Sequence, residues 1–487
     1  MRSMPRSLPL LLTALLALVV PAQAASAQPA AADARFEALG ARFIAEFGRY
    51  SPVYATALGD HRFDGDLDDF SAAGRAQGAA WVRRLLGELE GIDRSALSRA
   101  NQVDAAMLEN QLRYALWSEE TYRDWSWDPL VYTQLTGQAL YDLLARDFAP
   151  LPERLRSLTL RLENLPRLLE QARANLVTER VPSIHAETAV KQNPGVLSLV
   201  DGLVVPNLGA LEAADRARLE RAIELARTAV QEHQKWLETS LLPKAQGEFR
   251  IGQELYDAKL AFALMSPLSR KDVRARAEAE VTRVRGEMYE VARRVLAGRE
   301  GAPALPEQPT AAEQQAAIAA ALELAYAERP ARDGVVDLAR KTLDEATAFV
   351  RARNFVTVPD EPLEIILMPE FQRGVALAYC DPPGPLDKGQ RTFYAVSPIP
   401  DDWTDAQADS FLREYNSRSI ANLGIHEAMP GHFLQIAHSN RYPSVLRAML
   451  FSGPFVEGWA VYAERVMQEQ GFRGEDPLMR LVQLKWY

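Results

Sequence analysis

Residues 152–178 read PERLRSLTLRLENLPRLLEQARANLVT. Leu155, Leu158, Leu162, Leu165, Leu168 and Leu169 recur every three or four positions. That period puts them on one face of an α-helix. Pro166 falls inside the pattern and is expected to kink or divide the helix, because proline lacks the N–H that the preceding turn needs. The same spacing appears upstream in Phe36, Leu39, Phe43 and Phe47. Residues 207–242, 268–297 and 333–353 are long, charge-rich and amphipathic. None sustains the heptad of an isolated coiled coil, and no internal repeat is evident. The chain is therefore expected to be mainly α.

Two departures from helix organise the rest. Residues 300–311 (EGAPALPEQPTA) are rich in proline and small residues and read as a loop or hinge. They suggest two lobes, residues 28–300 and 301–487. After residue 355 the texture changes. Leu363 to Met368 is an apolar run bounded by Pro362 and Pro369. It reads as a strand, as do Gly374 to Cys380 and Thr392 to Ser397. Helix returns at about 404–422. The expected fold is mainly α and two-lobed, with a small β-sheet beside the helix that carries the chemistry.

The bulk numbers set limits. The 487 residues are 48% hydrophobic and 25% charged, an ordinary globular composition. Net charge is −10, which argues against nucleic acid or an anionic membrane surface as a partner. Arg2 and Arg6 precede an apolar run from Leu8 to Val20 and then small residues in A-x-A patterns ending at Ala24 and Ala27. This is the layout of a secretory signal peptide over residues 1–27, bacterial in style, which implies a periplasmic or secreted protein. The apolar run is short for a bilayer span, and no cysteine follows it to carry a lipid, so no stable membrane anchor is expected. The one cysteine, Cys380, can form no intramolecular disulfide and reads as a small buried hydrophobe. The sequence assigns no oligomeric state.

The chemistry concentrates near the C-terminal end. Three of the six histidines, His426, His432 and His438, lie within thirteen residues. Two of them flank His426-Glu427-Ala428-Met429-Pro430-Gly431-His432. A His-Glu opening is that of a zinc peptidase helix, where two histidines bind metal and the glutamate is the general base. The usual second histidine is at i+4; here it is at i+6. On a regular helix i+4 returns to within about 40° of the first residue, whereas i+6 lands about 120° away. Pro430 and Gly431 supply the remedy, since both break helical geometry. The helix is expected to be interrupted there, carrying His432 back to the metal side. A catalytic zinc wants a third protein ligand. Glu457, near the start of the apolar helix Phe455-Val456-Glu457-Gly458-Trp459-Ala460-Val461-Tyr462-Ala463-Glu464, is the candidate; a carboxylate placed there for the helix dipole is the alternative. Glu464, seven positions on, could hold a ligand histidine from behind or be an ordinary salt-bridged residue. His438 reads as a helix-end residue.

HEAMPGH followed by EGWAVYAE resembles the signature of the domain-of-unknown-function family 885, large and mainly helical proteins with the marks of zinc peptidases. The resemblance extends upstream to PVYATALGDHRFD (Pro52 to Asp64), to Arg146-Asp147-Phe148-Ala149-Pro150 and to the strand with Tyr394. It implies His426, His432 and Glu457 as ligands of one zinc ion per chain, Glu427 as catalytic base, and a gluzincin-like cleft for short peptides. Members of the family usually continue beyond the position of Tyr487, so the chain reads as truncated. Tyr379 and Tyr394, on the strands, are candidates for contacting substrate or oxyanion; aromatic packing is the alternative for both. The function expected is an exported zinc metallopeptidase with a peptide or small-molecule substrate. A zinc hydrolase of other amides or esters, or a non-catalytic exported metal-containing binding protein, would share most of these features.

Overall fold

The computed structural model describes residues 24–487. The expected leader lies outside the described residues except for its last four, which begin the helix Ala24–Phe47. The chain is mainly α with a small three-stranded sheet. The leucine-rich stretch forms one helix, Leu151–Asn175, and Pro166 lies inside it without ending it. Burial outweighs the missing hydrogen bond: Leu155, Leu158, Leu162, Leu165 and Leu168 have no exposed surface and share a core with the helix Ala213–Trp236. Each such leucine contributes roughly 1.5–3 kcal/mol.

Three of the other cores among the described residues position the site. The helices Ala24–Phe47, Ala72–Glu90 and Arg99–Trp117 bury Phe36, Leu39, Phe43, Leu85 and Leu108, and Leu446, Met449 and Leu450 enter the same core. The Pro-rich stretch 300–311 joins Arg270–Leu296 to Ala311–Tyr326, and those helices share a core with Pro477–Trp486. Thr310 closes the stretch with a capping box, its hydroxyl accepting from the Glu313 N–H while the Glu313 carboxylate accepts from Thr310. The last core holds the sheet, the helix Val335–Arg353 and the helix Ser417–Glu427.

The strands are β1 (Leu363–Leu367), β2 (Ala378–Asp381) and β3 (Thr392–Val396), in the order β1-β3-β2. β3 runs parallel to β1 and antiparallel to β2. It is buried along its whole length, which is why its sequence TFYAV shows no polar alternation. The helix expected over 404–422 is two helices, Asp405–Glu414 and Ser417–Glu427. Asn416 makes the break. Its side chain accepts from the N–H groups of Arg418 and Ser419 and so starts the helix that bears His426.

Candidate metal centre

Nine of the eleven residues of Ser417–Glu427 are buried, so His426 and Glu427 stand at the end of a rigid element. The helix stops after them. Ala428 leaves helical dihedrals (φ −124°, ψ −84°) and a new helix, His432–Asn440, begins at the second histidine. Gly431 turns the chain back against the first helix. A Cβ there would lie 1.8 Å from the His426 carbonyl oxygen and 2.3 Å from that of Ile425, so only glycine fits. Trp459 clamps the turn by donating from Nε1 to the Pro430 carbonyl at 3.0 Å. The interruption expected from Pro430 and Gly431 is thus present. It returns the His432 ring to His426, centroids 4.7 Å apart and planes at 85°.

Glu457 meets both rings from the helix Gly453–Glu469. Its Oε2 lies 3.5 Å from His426 Nε2 and 3.7 Å from His432 Nε2. One ligand atom from each of the three residues falls within 4.8 Å of the others. Ligands about 2.0 Å from a tetrahedral zinc are separated by about 3.3 Å, so the two measured edges are close to what the ion requires. The tautomer also fits. His426 Nδ1 donates to Glu464 Oε1 at 2.8 Å, leaving Nε2 to face Glu457. Glu464, 2% exposed, is held in turn by Asn422, whose Nδ2 donates to Oε2 at 2.7 Å. A carboxylate behind a ligand histidine is the usual support of a metal site.

Glu427 is buried beside this group, its Oε2 4.0 Å from His432 Nε2. Burial pushes its pKa up to about 7, with His426 pulling it down and Glu457 pushing it further up. Burial lowers the His432 pKa and the neighbouring His426 adds to this, which favours the neutral ring that a metal needs. Burial opposes charge on His426, but Glu464, Glu427 and Glu457 outweigh it and raise its pKa.

The two tyrosines separate. Tyr394 on β3 is paired with Cys380 on β2, and paired residues share a face of the sheet. Tyr394 is 1% exposed and its hydroxyl has no hydrogen-bond partner among the described residues. Burial, reinforced by Glu427, raises its pKa. Tyr379 points its hydroxyl to Gln372 instead and is not brought to the cluster. His438 donates from Nε2 to the Thr357 carbonyl at 3.0 Å and is not one of the three residues of the cluster. Asn422 and Trp459 escaped the sequence reading. Asn422 precedes His426 by four residues, one helical turn, and that spacing was its signal.

Fold and site together define a mainly helical protein with a convergent cluster of two histidines and a carboxylate. The chain belongs to the family described as bacterial protein of unknown function (DUF885), whose model matches residues 52–487. A solved structure from Shewanella oneidensis, described as a "putative lipoprotein of unknown function", is 32% identical. The match covers 93% of this chain and 80% of that one, with a TM-score of 0.71. A "putative lipoprotein" from Colwellia psychrerythraea shares the fold at 17% identity and a TM-score of 0.67, over 95% of this chain and 81% of that one. No curated protein matches the sequence. No helix among the described residues is long and apolar enough to cross a membrane.

Proposed function

We propose that this chain is an exported, zinc-dependent peptidase of gluzincin-like, two-lobed organisation that acts on short peptides. The observation that carries the reading is the convergence of His426 Nε2, His432 Nε2 and a Glu457 oxygen beside the buried carboxyl of Glu427. His426, His432 and Glu457 would hold the ion. Zinc, when bound, polarises a scissile carbonyl and acidifies a water molecule. Glu427 would take a proton from the water whose oxygen adds to the carbonyl carbon, and would give it to the leaving amine as the C–N bond breaks. Its burial suits both halves of this exchange, because a carboxyl with a pKa near neutrality can take a proton and return it. Glu464 and Asn422 keep the His426 ring aimed.

Replacement of Glu427 by Gln tests this. The variant should bind as much zinc as the wild type and hydrolyse a short-peptide library at least about 100-fold more slowly. A variant as active as the wild type would refute the role of Glu427. Zinc binding by a wild type that cleaves no peptide would refute the peptidase reading.

A further inference from the structure

A cavity of about 480 Å³ opens along the helix His432–Asn440. Ile436 and Asn440 line it, and they follow His432 at intervals of four on one stripe of the helix. They stand about 6 and 12 Å along the axis from that histidine. An extended peptide covers about 3.3 Å per residue, so about three to four residues span that distance.

The facing wall is the connection from β2 to β3, with Pro382, Pro383 and Pro385. It is fastened at several points, one of them across the cavity, where Asn440 donates from Nδ2 to the Pro383 carbonyl at 3.1 Å. Arg146 donates from Nη2 to the Asp381 carbonyl (2.6 Å) and from Nε to the Arg391 carbonyl (3.0 Å), which closes both ends of the loop. His61 bridges Asp387 and Asp64, at 3.1 Å each, and stacks on Phe148 with centroids 3.6 Å apart. Leu386 N–H donates to the Leu58 carbonyl at 3.0 Å. Gly384 sits so close to Leu58 that a Cβ would lie 2.1 Å from its carbonyl carbon. The segments Pro52 to Asp64 and Arg146 to Pro150, remote from the metal cluster in sequence, thus meet at this one wall. A site that discriminates needs its walls held in this way.

The charges around the cavity are unequal. Arg441 is paired with Glu361 at 2.6 Å, and Asp387 with His61. Lys388 donates to the Pro385 carbonyl at 3.2 Å and has no carboxylate partner among the described residues. The rim therefore presents one ammonium without a carboxylate partner among the described residues, that of Lys388, above walls of proline, Ile436 and Tyr442.

We propose that this cavity is a subsite for the C-terminal end of a short peptide, with an apolar side chain against the prolines and Tyr442 and the carboxylate on Lys388. The assignment rests on the peptidase reading. A carboxylate could come from the free C-terminus or from an acidic side chain, and three probes separate them. The zinc-loaded full chain carrying Glu427→Gln is titrated with an alanine tripeptide extended by a C-terminal leucine, as the free acid and as the amide, and with the same amide bearing Glu in place of Leu. The free acid should bind roughly 10-fold tighter than either amide, the scale of a hydrogen bond to a charged group. Adding Lys388→Ala should bring the acid down to the amide's affinity and leave bound zinc unchanged. Equal affinity for acid and amide, or a difference that survives Lys388→Ala, would overturn the subsite. A Glu amide that binds as well as the free acid would overturn its assignment to the C-terminus. Acid-selective binding by a protein whose wild type cleaves no peptide would leave the subsite standing and remove the peptidase reading instead.

Discussion

Two of the three helices that supply the candidate metal cluster, Ser417–Glu427 and Gly453–Glu469, are built in opposite ways. Ser417–Glu427 is almost wholly enclosed, whereas only Ala460, Ala463, Glu464 and Met467 of the seventeen residues in Gly453–Glu469 are buried. The Glu457 side chain is 66% exposed while that of His432 is 9% exposed. One half of the site is therefore fixed by packing and the other faces solvent. On the proposed reading, residues of the enclosed half would serve both fold and metal, and Glu457 the metal alone.

The most severe way to break this contrast is Gly431→Ala. The added methyl collides with backbone that cannot yield, so stability should fall by about 3 kcal/mol in chemical denaturation and zinc binding should be lost with it. Next comes a pair of variants that sharpens the contrast. Glu464→Ala leaves His426 Nδ1 and the Asn422 amide without their buried acceptor; it should cost roughly 1–3 kcal/mol and weaken zinc binding roughly 10–100-fold. Glu457→Ala should change stability by no more than about 0.5 kcal/mol yet abolish stoichiometric zinc. Equal stability losses in the two would show that the enclosed and exposed halves do not differ as described.

The last effect, weakened by solvent because the His61 side chain is 27% exposed, is a pH dependence at the wall of the cavity. Burial opposes the charged form of His61, but hydrogen bonds to Asp387 and Asp64 prevail and raise its pKa to about 9, against 6.5 in the unfolded chain. A raised histidine stabilises the fold fully below the unfolded value and loses that contribution as pH climbs through the folded one. Wild type should therefore lose stability relative to His61→Gln between about pH 6.5 and 9, seen as converging denaturation midpoints. A constant gap across that window would mean that the ring is not charged in the folded protein.

Much of this is legible in the sequence. Helical periodicity located Leu151–Asn175, Arg270–Leu296 and Val335–Arg353 to within a few residues, and the three strands lie where apolar runs met turn residues. The Pro430–Gly431 pair announced the interruption that lets an i+6 histidine return. Other features needed the third dimension. Asn416 splits a helix that reads as continuous, because a cap is a hydrogen bond and not a period. Pro166 reads as a breaker yet sits within an intact helix, because the burial around it decides. Tyr379 and Tyr394 look alike on their strands, and only the register sends one to Gln372 and the other to the face of Cys380. The meeting of His61, Phe148 and Asp387 joins three segments, His61 and Asp387 lying 326 positions apart, and leaves no local trace.

The most direct test of the central claim is elemental analysis of the purified protein beside its His432→Ala variant. About one zinc per chain in the wild type, absent from the variant, is the predicted result. No stoichiometric zinc in either, or equal zinc in both, would contradict the assignment of the interrupted histidine motif as a metal site.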